Sequence, residues 1–385
     1  MIKLIRTSTV ALSLDVLLKG QLAFLSKYYD VVAVSGADHH LDAVKQREGV
    51  RTESVEMARQ INLWRDLVSL LKLYRLFRRE KPAIVHSITP KAGLLSMIAA
   101  RLAGVPVRIH TFTGLIFPTS TGLKKKLLIA MDCLLCRMAT HVYPEGEGVR
   151  RDLLRYRITN KPLKVLAHGN ISGVDTGYFA LQQVPDEQKR ALRSNLGLRE
   201  DDVVFIFVGR LVADKGLREI VDAFTRLAEK QLQTRLILVG PTETADPIDH
   251  TTADLMKNHD RIITTGYQSD IRPYLAIADV FLLASYREGF PNVVLQAGAM
   301  ELPCVVTDIN GANEIIEHAK NGLIVPVRHA DALLHAMQCL ASDKVLREEM
   351  GKEGRRRIEQ KFSNSIVWRA LQEEYETLTA TLHHV

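Results

Sequence analysis

The stretch DVVFIFVGRLVADKG, residues 202–216, runs from an unbroken apolar segment into a glycine, two cations and a second glycine. A continuous β-branched and aromatic run bounded by turn residues is the pattern of a strand buried on both faces, as in a parallel sheet. The strand ends at Val208, Gly209 makes a sharp turn, and Gly216 precedes a helix. Arg210 and Lys215 therefore lie on a strand-to-helix loop. A planar guanidinium fork and an ammonium point charge there suit a diphosphate. Standing alone, the loop reads equally well as a solvated turn with incidental cations.

The same grammar repeats outward from this stretch. In the second half, segments 234–240, 261–267, 279–285 and 303–308 read as strands; in the first half, 29–36, 82–88, 105–112 and 140–145 do. Residues 59–80 and 91–103 carry helical spacing between them, and the N-terminal MIKLIRTSTV reads as a first strand and loop, not as a signal peptide. Strand–helix alternation throughout predicts an α/β chain of two doubly wound, parallel-sheet domains, with ligands at the carboxyl ends of the strands. The Gly- and Asn-rich 166–179 is the expected boundary, giving domains 1–175 and 176–362. The remaining helix, 363–385, either caps the second domain or returns to the first.

A length of 385 residues agrees, being too long for one ordinary core. No apolar run reaches the ~18–20 residues of a membrane-spanning helix. Four cysteines in a chain this size make no disulfide framework, and Cys133 and Cys136 read as apolar helix positions, so a reducing cytoplasm fits. The net charge of +7 is unevenly spread. Residues 1–178 hold 27 Lys and Arg against 14 Asp and Glu, and residues 179–385 hold 24 against 30. The basic half favours an anionic partner. No nucleic-acid-binding pattern accompanies it, which leaves a lipid phosphate or an anionic membrane surface.

A second loop matches the first. In SYREGFPNVVLQAGAM, residues 285–300, a strand gives way to a turn holding Glu288, and a helix follows. Amide groups at such a helix start form an anion site. Together, FVGRLVADKG and this segment resemble the retaining nucleotide-sugar glycosyltransferases of the GT-B fold, specifically glycosyltransferase family 4. Segments 87–112, 171–179 and 306–316 extend the likeness over nearly the whole chain.

The resemblance implies two Rossmann-like domains facing across a cleft, the first on the acceptor side and the second binding the nucleotide sugar. It implies a role for each matching residue. Gly209 shapes the loop from which Arg210 and Lys215 neutralise the leaving diphosphate. Glu288 contacts the donor sugar, and His110 faces it from the first domain. Amides of Phe290, Asn292 and Val293 cradle the distal phosphate. Gln296 stands where the family usually places a second glutamate, which holds the ribose hydroxyls. An amide can still accept from and donate to a diol, so the departure weakens that contact without removing it.

The expected donor is a nucleotide-diphosphate sugar, UDP favoured over GDP or ADP, with no further cofactor. No HxH, HExxH or Asp-x-Asp pattern occurs, and the two cations supply the charge, so metal independence is expected. The expected acceptor is a polyprenyl-diphosphate-linked sugar at the inner face of the cytoplasmic membrane. Phe117, in the apolar 115–118 loop, and Lys124, Lys125 and Lys126, before an apolar helix, are the expected membrane and acceptor contacts. The helical run with Trp64, Leu67, Leu71, Tyr74 and Leu76 reads instead as packing on the sheet. The DHH run at 38–40 reads as an exposed loop, and His86 and His168 read as structural histidines near strand ends. Two alternatives are a sugar-nucleotide 2-epimerase and a non-catalytic sugar-nucleotide-binding protein.

Overall fold

The computed structural model describes residues 1–58, 62–243 and 246–380. The chain forms two compact units. One holds Met1–Gly173 and the C-terminal helix Asn364–Ala380, the other Val174–Ser363.

The first unit contains β1 (Lys3–Thr7), β2 (Asp30–Ser35), β3 (Arg51–Ser54), β4 (Ile84–Ser87), β5 (Val107–Phe112) and β6 (His141–Pro144). All pair in parallel in the order β3-β2-β1-β4-β5-β6. The second unit repeats this winding with β7 (Val203–Val208), β8 (Thr234–Val239), β9 (Ile262–Gly266), β10 (Val280–Leu283), β11 (Cys304–Thr307) and β12 (Gly322–Val325). Its order is β12-β11-β10-β7-β8-β9, again all parallel. In both sheets the winding reverses at one place, between β1 and β4 and between β7 and β10. The loops part there, leaving a crevice beyond the strand ends.

β3 and β12 were not legible in the sequence. Both are four-residue edge strands, and neither RTES nor GLIV is buried along its full length. The central strands were legible because both faces are covered. Val204–Phe207 are fully buried, and the helix Leu217–Lys230 turns Leu217, Ile220, Val221, Phe224 and Leu227 onto the sheet at helical spacing.

The C-terminal helix packs within the first unit. Arg6 donates to the Tyr375 hydroxyl at 2.7 Å, and His86 Nδ1 lies 2.5 Å from the same oxygen. His86 is a buried structural histidine, its other ring nitrogen 2.7 Å from Thr111. Residues 381–385 of the expected terminal segment lie outside the described residues. So do residues 59–61 of the expected 59–80 helix, which is described as Leu63–Glu80.

That helix departs from expectation. Ser69, Leu73, Leu76 and Phe77 form its buried face, whereas Trp64, Leu67 and Leu71 point outward. The DHH run also differs: Asp38 caps the helix His39–Glu48 through its carboxylate, so the two histidines open a helix.

Candidate active site

Two loops meet at the β7/β10 reversal. The first leaves β7 at Gly209, where φ is +158°, and ends in a short turn, Ala213–Lys215, closed by Gly216 at φ +67°. A Cβ on Gly216 would stand 2.1 Å from the Ala284 carbonyl oxygen. Only glycine lets this loop rest against the end of β10, and that contact delivers Lys215 to its partner.

The partner is Glu288, on the loop after β10. Lys215 Nζ forms an ion pair with Glu288 Oε1, both side chains 18% exposed. Ser285 Oγ donates to the same carboxylate oxygen at 2.9 Å. Ser285 is itself held from β11, because Thr307 Oγ1 donates to its carbonyl at 2.6 Å. The Tyr286 amide donates to the Asp214 carbonyl at 2.9 Å, tying the loops together by backbone as well. Arg210 reaches the third neighbouring loop, 2.7 Å from Glu243 beyond β8. Both cations thus carry carboxylates, one half-buried and one at the surface.

The turn after Glu288 is supported from below. Gly311 sits at φ +76°, and a Cβ there would lie 2.4 Å from the Gly289 carbonyl. This explains physically why 306–316 accompanies the Glu-Gly-Phe-Pro-Asn turn. The turn leads into the helix Asn292–Ala299, whose first amides have no intrahelical acceptor. Asn292, Val293 and Gln296 share its half-exposed side, and Phe290 is buried against Phe362 at 5.6 Å between ring centres. The arrangement offers two cations, each paired with a carboxylate, and a helix N-terminus at one crevice, a set suited to a diphosphate joined to a hydroxyl-rich group.

Comparison with known proteins agrees with this geometry. Residues 188–357 match the family described as Glycosyl transferases group 1, and residues 24–169 match the Glycosyl transferase 4-like domain. Over 377 residues the chain is 33% identical to the capsular polysaccharide biosynthesis glycosyltransferase CapM of Staphylococcus aureus, covering 97% of each chain. The chain belongs to the family 4 type of GT-B glycosyltransferases. A second relative of the enzyme, 31% identical over 316 residues, is the Escherichia coli UDP-Gal:alpha-D-GlcNAc-diphosphoundecaprenol alpha-1,3-galactosyltransferase; the match covers 80% of this chain and 78% of that one. The fold matches Anabaena HepE, solved in complex with UDP, with a TM-score of 0.82 over 98% of this chain and 100% of that one, at 18% identity.

Within the glycosyltransferase, one compact unit contains Gly209, Arg210, Lys215, Glu288, Phe290, Asn292, Val293 and Gln296. Ser285 and Glu243 join them although no motif in the sequence marks either. Their signal was position alone: each follows a strand end, as Arg210 and Glu288 do. No group of three or more His, Cys, Asp or Glu among the described residues could hold a metal ion.

His110 is a correction. It lies inside β5, which runs on to Phe112 rather than ending at the histidine, is 1% exposed, and has Nδ1 2.8 Å from Ser87 Oγ. Gly93 packs on the ring so closely that a Cβ would stand 2.5 Å from Cε1. Burial pushes its pKa down to about 3, so it is neutral at physiological pH. A side chain so enclosed cannot face a donor sugar. Phe117 is corrected likewise. Its ring is fully buried, edge-on to Tyr156 at 4.9 Å, because the short turn Phe117–Thr119 folds it into the core. Lys125 turns inward over that tyrosine, 4.8 Å from the ring centre, while Lys124 and Lys126 stay exposed. All three lie at the start of the helix Gly122–Met138, not before it.

The Gln296 amide makes no side-chain hydrogen bond among the described residues, which leaves it available to a ligand. Gln296→Ala is expected to weaken UDP binding by about 3–10-fold, the worth of one or two neutral hydrogen bonds. Gln296→Glu should change it by less than about tenfold, since stronger acceptance from the ribose opposes repulsion from the diphosphate. Titration calorimetry with UDP reads both. Unchanged affinity in Gln296→Ala would make Gln296 merely a helix residue.

Proposed function

We propose that the enzyme transfers a sugar from a nucleotide-diphosphate sugar, UDP favoured, to a polyprenyl-diphosphate-linked sugar during polysaccharide assembly. Transfer proceeds with retention of anomeric configuration and without a divalent cation, at the inner face of the cytoplasmic membrane. The convergence of Arg210, Lys215 and Glu288 on the β7/β10 reversal carries this reading. The capsular and undecaprenol-linked relatives support the pathway class and the acceptor.

On this reading the ion pairs Arg210–Glu243 and Lys215–Glu288 are the resting state. The exposed Arg210–Glu243 pair contributes only about 0–1 kcal/mol, and on the more buried Lys215 a diphosphate replaces the Glu288 carboxylate with a more highly charged anion. Glu288 is then released toward the sugar. The bond between the anomeric carbon and the phosphate oxygen breaks as the acceptor oxygen bonds to the same face. The acceptor proton passes to the leaving phosphate oxygen. Arg210 and Lys215 stabilise the charge that accumulates there, and Glu288 faces the oxocarbenium-like centre.

The test is a transfer assay with a panel of UDP-, GDP- and ADP-sugars and a short-chain prenyl-diphosphate-linked N-acetylhexosamine. An α-linked product from an α-configured UDP-sugar is expected, at a rate that EDTA changes less than about twofold. An inverted product would overturn retention. Loss in EDTA with recovery in Mg²⁺ or Mn²⁺ would overturn metal independence, and epimerised donor without acceptor would favour the 2-epimerase alternative.

A further inference from the structure

The loop that carries Arg210 and Lys215 runs beside the loop after β8. Gly209 donates to the Val239 carbonyl at 2.9 Å, and Leu211 donates to the Pro241 carbonyl at 2.7 Å. Gly240, at φ +144°, makes room for this, since a Cβ there would stand 1.8 Å from the Gly209 carbonyl oxygen. A parallel bridge between Leu211 and Thr242 carries the β7–β8 pairing past the ends of both strands.

Asp246 makes the last contacts of this series. Its carbonyl accepts from the Ala213 amide at 3.2 Å, and its Oδ2 accepts from the Asp214 amide at 2.8 Å. A short helical turn leaves its first amides without internal acceptors. Within Ala213–Lys215 only the later amides bond locally, Lys215 to Val212 at 3.2 Å and Gly216 to Ala213 at 3.0 Å. Asp214 is also gripped from the opposite side. Its carbonyl accepts from Tyr286 at 2.9 Å, and Arg287 donates to its carboxylate at 3.2 Å. The two peptide groups that precede Lys215 are thus fixed, one by the loop after β8 and one by the loop after β10. Asp249, three residues beyond Asp246, caps the helix His250–Asn258 through the Thr252 amide and hydroxyl at 2.9 and 2.7 Å.

A carboxylate beside a site for an anion is unfavourable in itself. Glu243 and Asp214 are each relieved by a cation, Arg210 and Arg287. Asp246 is half-buried, makes no ion pair among the described residues, and is aimed at a backbone amide. What its side chain supplies to the site is position, not charge.

We propose that Asp246 is the positioning residue that holds Lys215 against the leaving diphosphate. By clamping the turn it sets the direction in which the lysine leaves the backbone, and Glu288 receives the ammonium at the far end. In Asp246→Ala the turn loses that acceptor and the ammonium is no longer held in one place. Misplacement of a reacting group by about 1 Å costs on the order of 100-fold in rate. Asp246 touches neither sugar nor phosphate, and its role rests on the reading of Lys215 as the cation that stabilises the leaving group.

The experiment compares Asp246→Ala, Asp246→Asn, Lys215→Ala and the double variant Asp246→Ala/Lys215→Ala, using the transfer assay above and titration calorimetry with UDP. Asp246→Ala is expected to lower kcat/KM by about 10–100-fold and to weaken UDP by about 3–10-fold, with an unchanged melting temperature. Asp246→Asn should stay within about threefold of wild type in both, because an amide oxygen still accepts from the Asp214 amide. Once Lys215 is alanine, removing Asp246 should cost less than about twofold in either measurement, since the clamp then has nothing to place. Equal fold-losses with and without Lys215, or an asparagine variant no better than alanine, would overturn the positioning role. The calorimetric cycle needs no acceptor, so it decides this whatever sugar or lipid the enzyme uses. A loss below threefold in Lys215→Ala would overturn the reading of Lys215 itself. Full loss there, with none in Asp246→Ala, would overturn the clamp alone.

Discussion

Lys215→Ala is expected to lower kcat/KM for sugar transfer by at least ~100-fold, about 3 kcal/mol of transition-state stabilisation. Two effects produce this. On the proposed function, the leaving diphosphate loses one of two cations at the moment its charge is greatest. Glu288 loses its ion-pair partner, keeping only the Ser285 hydroxyl. The substitution should leave the fold intact, because Lys215 lies on a short turn rather than in the core and Gly216 sets the loop's approach to β10. Lys215→Arg separates the two effects, since it restores charge to Glu288 but presents a planar fork where the site holds an amine. Partial recovery in the arginine variant, with UDP affinity near wild type, is expected. A loss below threefold in Lys215→Ala, with an unchanged melting temperature, would remove Lys215 from the site.

Glu288→Gln should act differently. On the proposed function it removes the carboxylate that faces the sugar on which positive charge develops, and it frees Lys215 from its ion-pair partner. The first effect lowers kcat, by roughly 100-fold or more, as expected when a single transition-state charge contact worth about 3 kcal/mol is lost. The second strengthens ground-state binding of a diphosphate. The signature is therefore a split: kcat falls steeply while the Kd for UDP stays level or tightens. Weaker UDP binding together with a nearly normal kcat would mean that Glu288 serves the nucleotide rather than the sugar. Comparing Glu288→Gln with Gln296→Ala places each residue, because the latter should move Kd and leave kcat nearly alone.

The candidate site was legible in unequal parts. Arg210, Lys215 and Glu288 could be named because each lies on a loop beyond the end of an apolar strand run, where a parallel sheet exposes its ligand-facing loops, whereas Gln296, on the following helix, was marked only by the family resemblance. Ser285 and Glu243 stand in equivalent places but carry no distinguishing pattern. His110 and Phe117 misled for a common reason. A polar residue near a strand end and an apolar residue in a loop both look available until the neighbouring helix and turn are in place. Gly93 closing over the imidazole and Tyr156 closing over the phenyl ring are contacts between segments that no local pattern records.

By itself the sequence determined the central strands, the helices that cover them and the two-fold repetition of one winding. Burial on both faces writes itself into the chain as unbroken apolar runs, and helical spacing marks which residues share a side. Only the tertiary structure decided what each side meets. It paired Lys215 with Glu288 across 73 residues of chain, because β7 and β10 are neighbours in the sheet and Gly216 permits close approach. It also turned Trp64, Leu67 and Leu71 outward while Leu73 and Phe77 took the core. An amphipathic period fixes the angle between two helix faces but not which one the sheet will cover, and that choice belongs to packing.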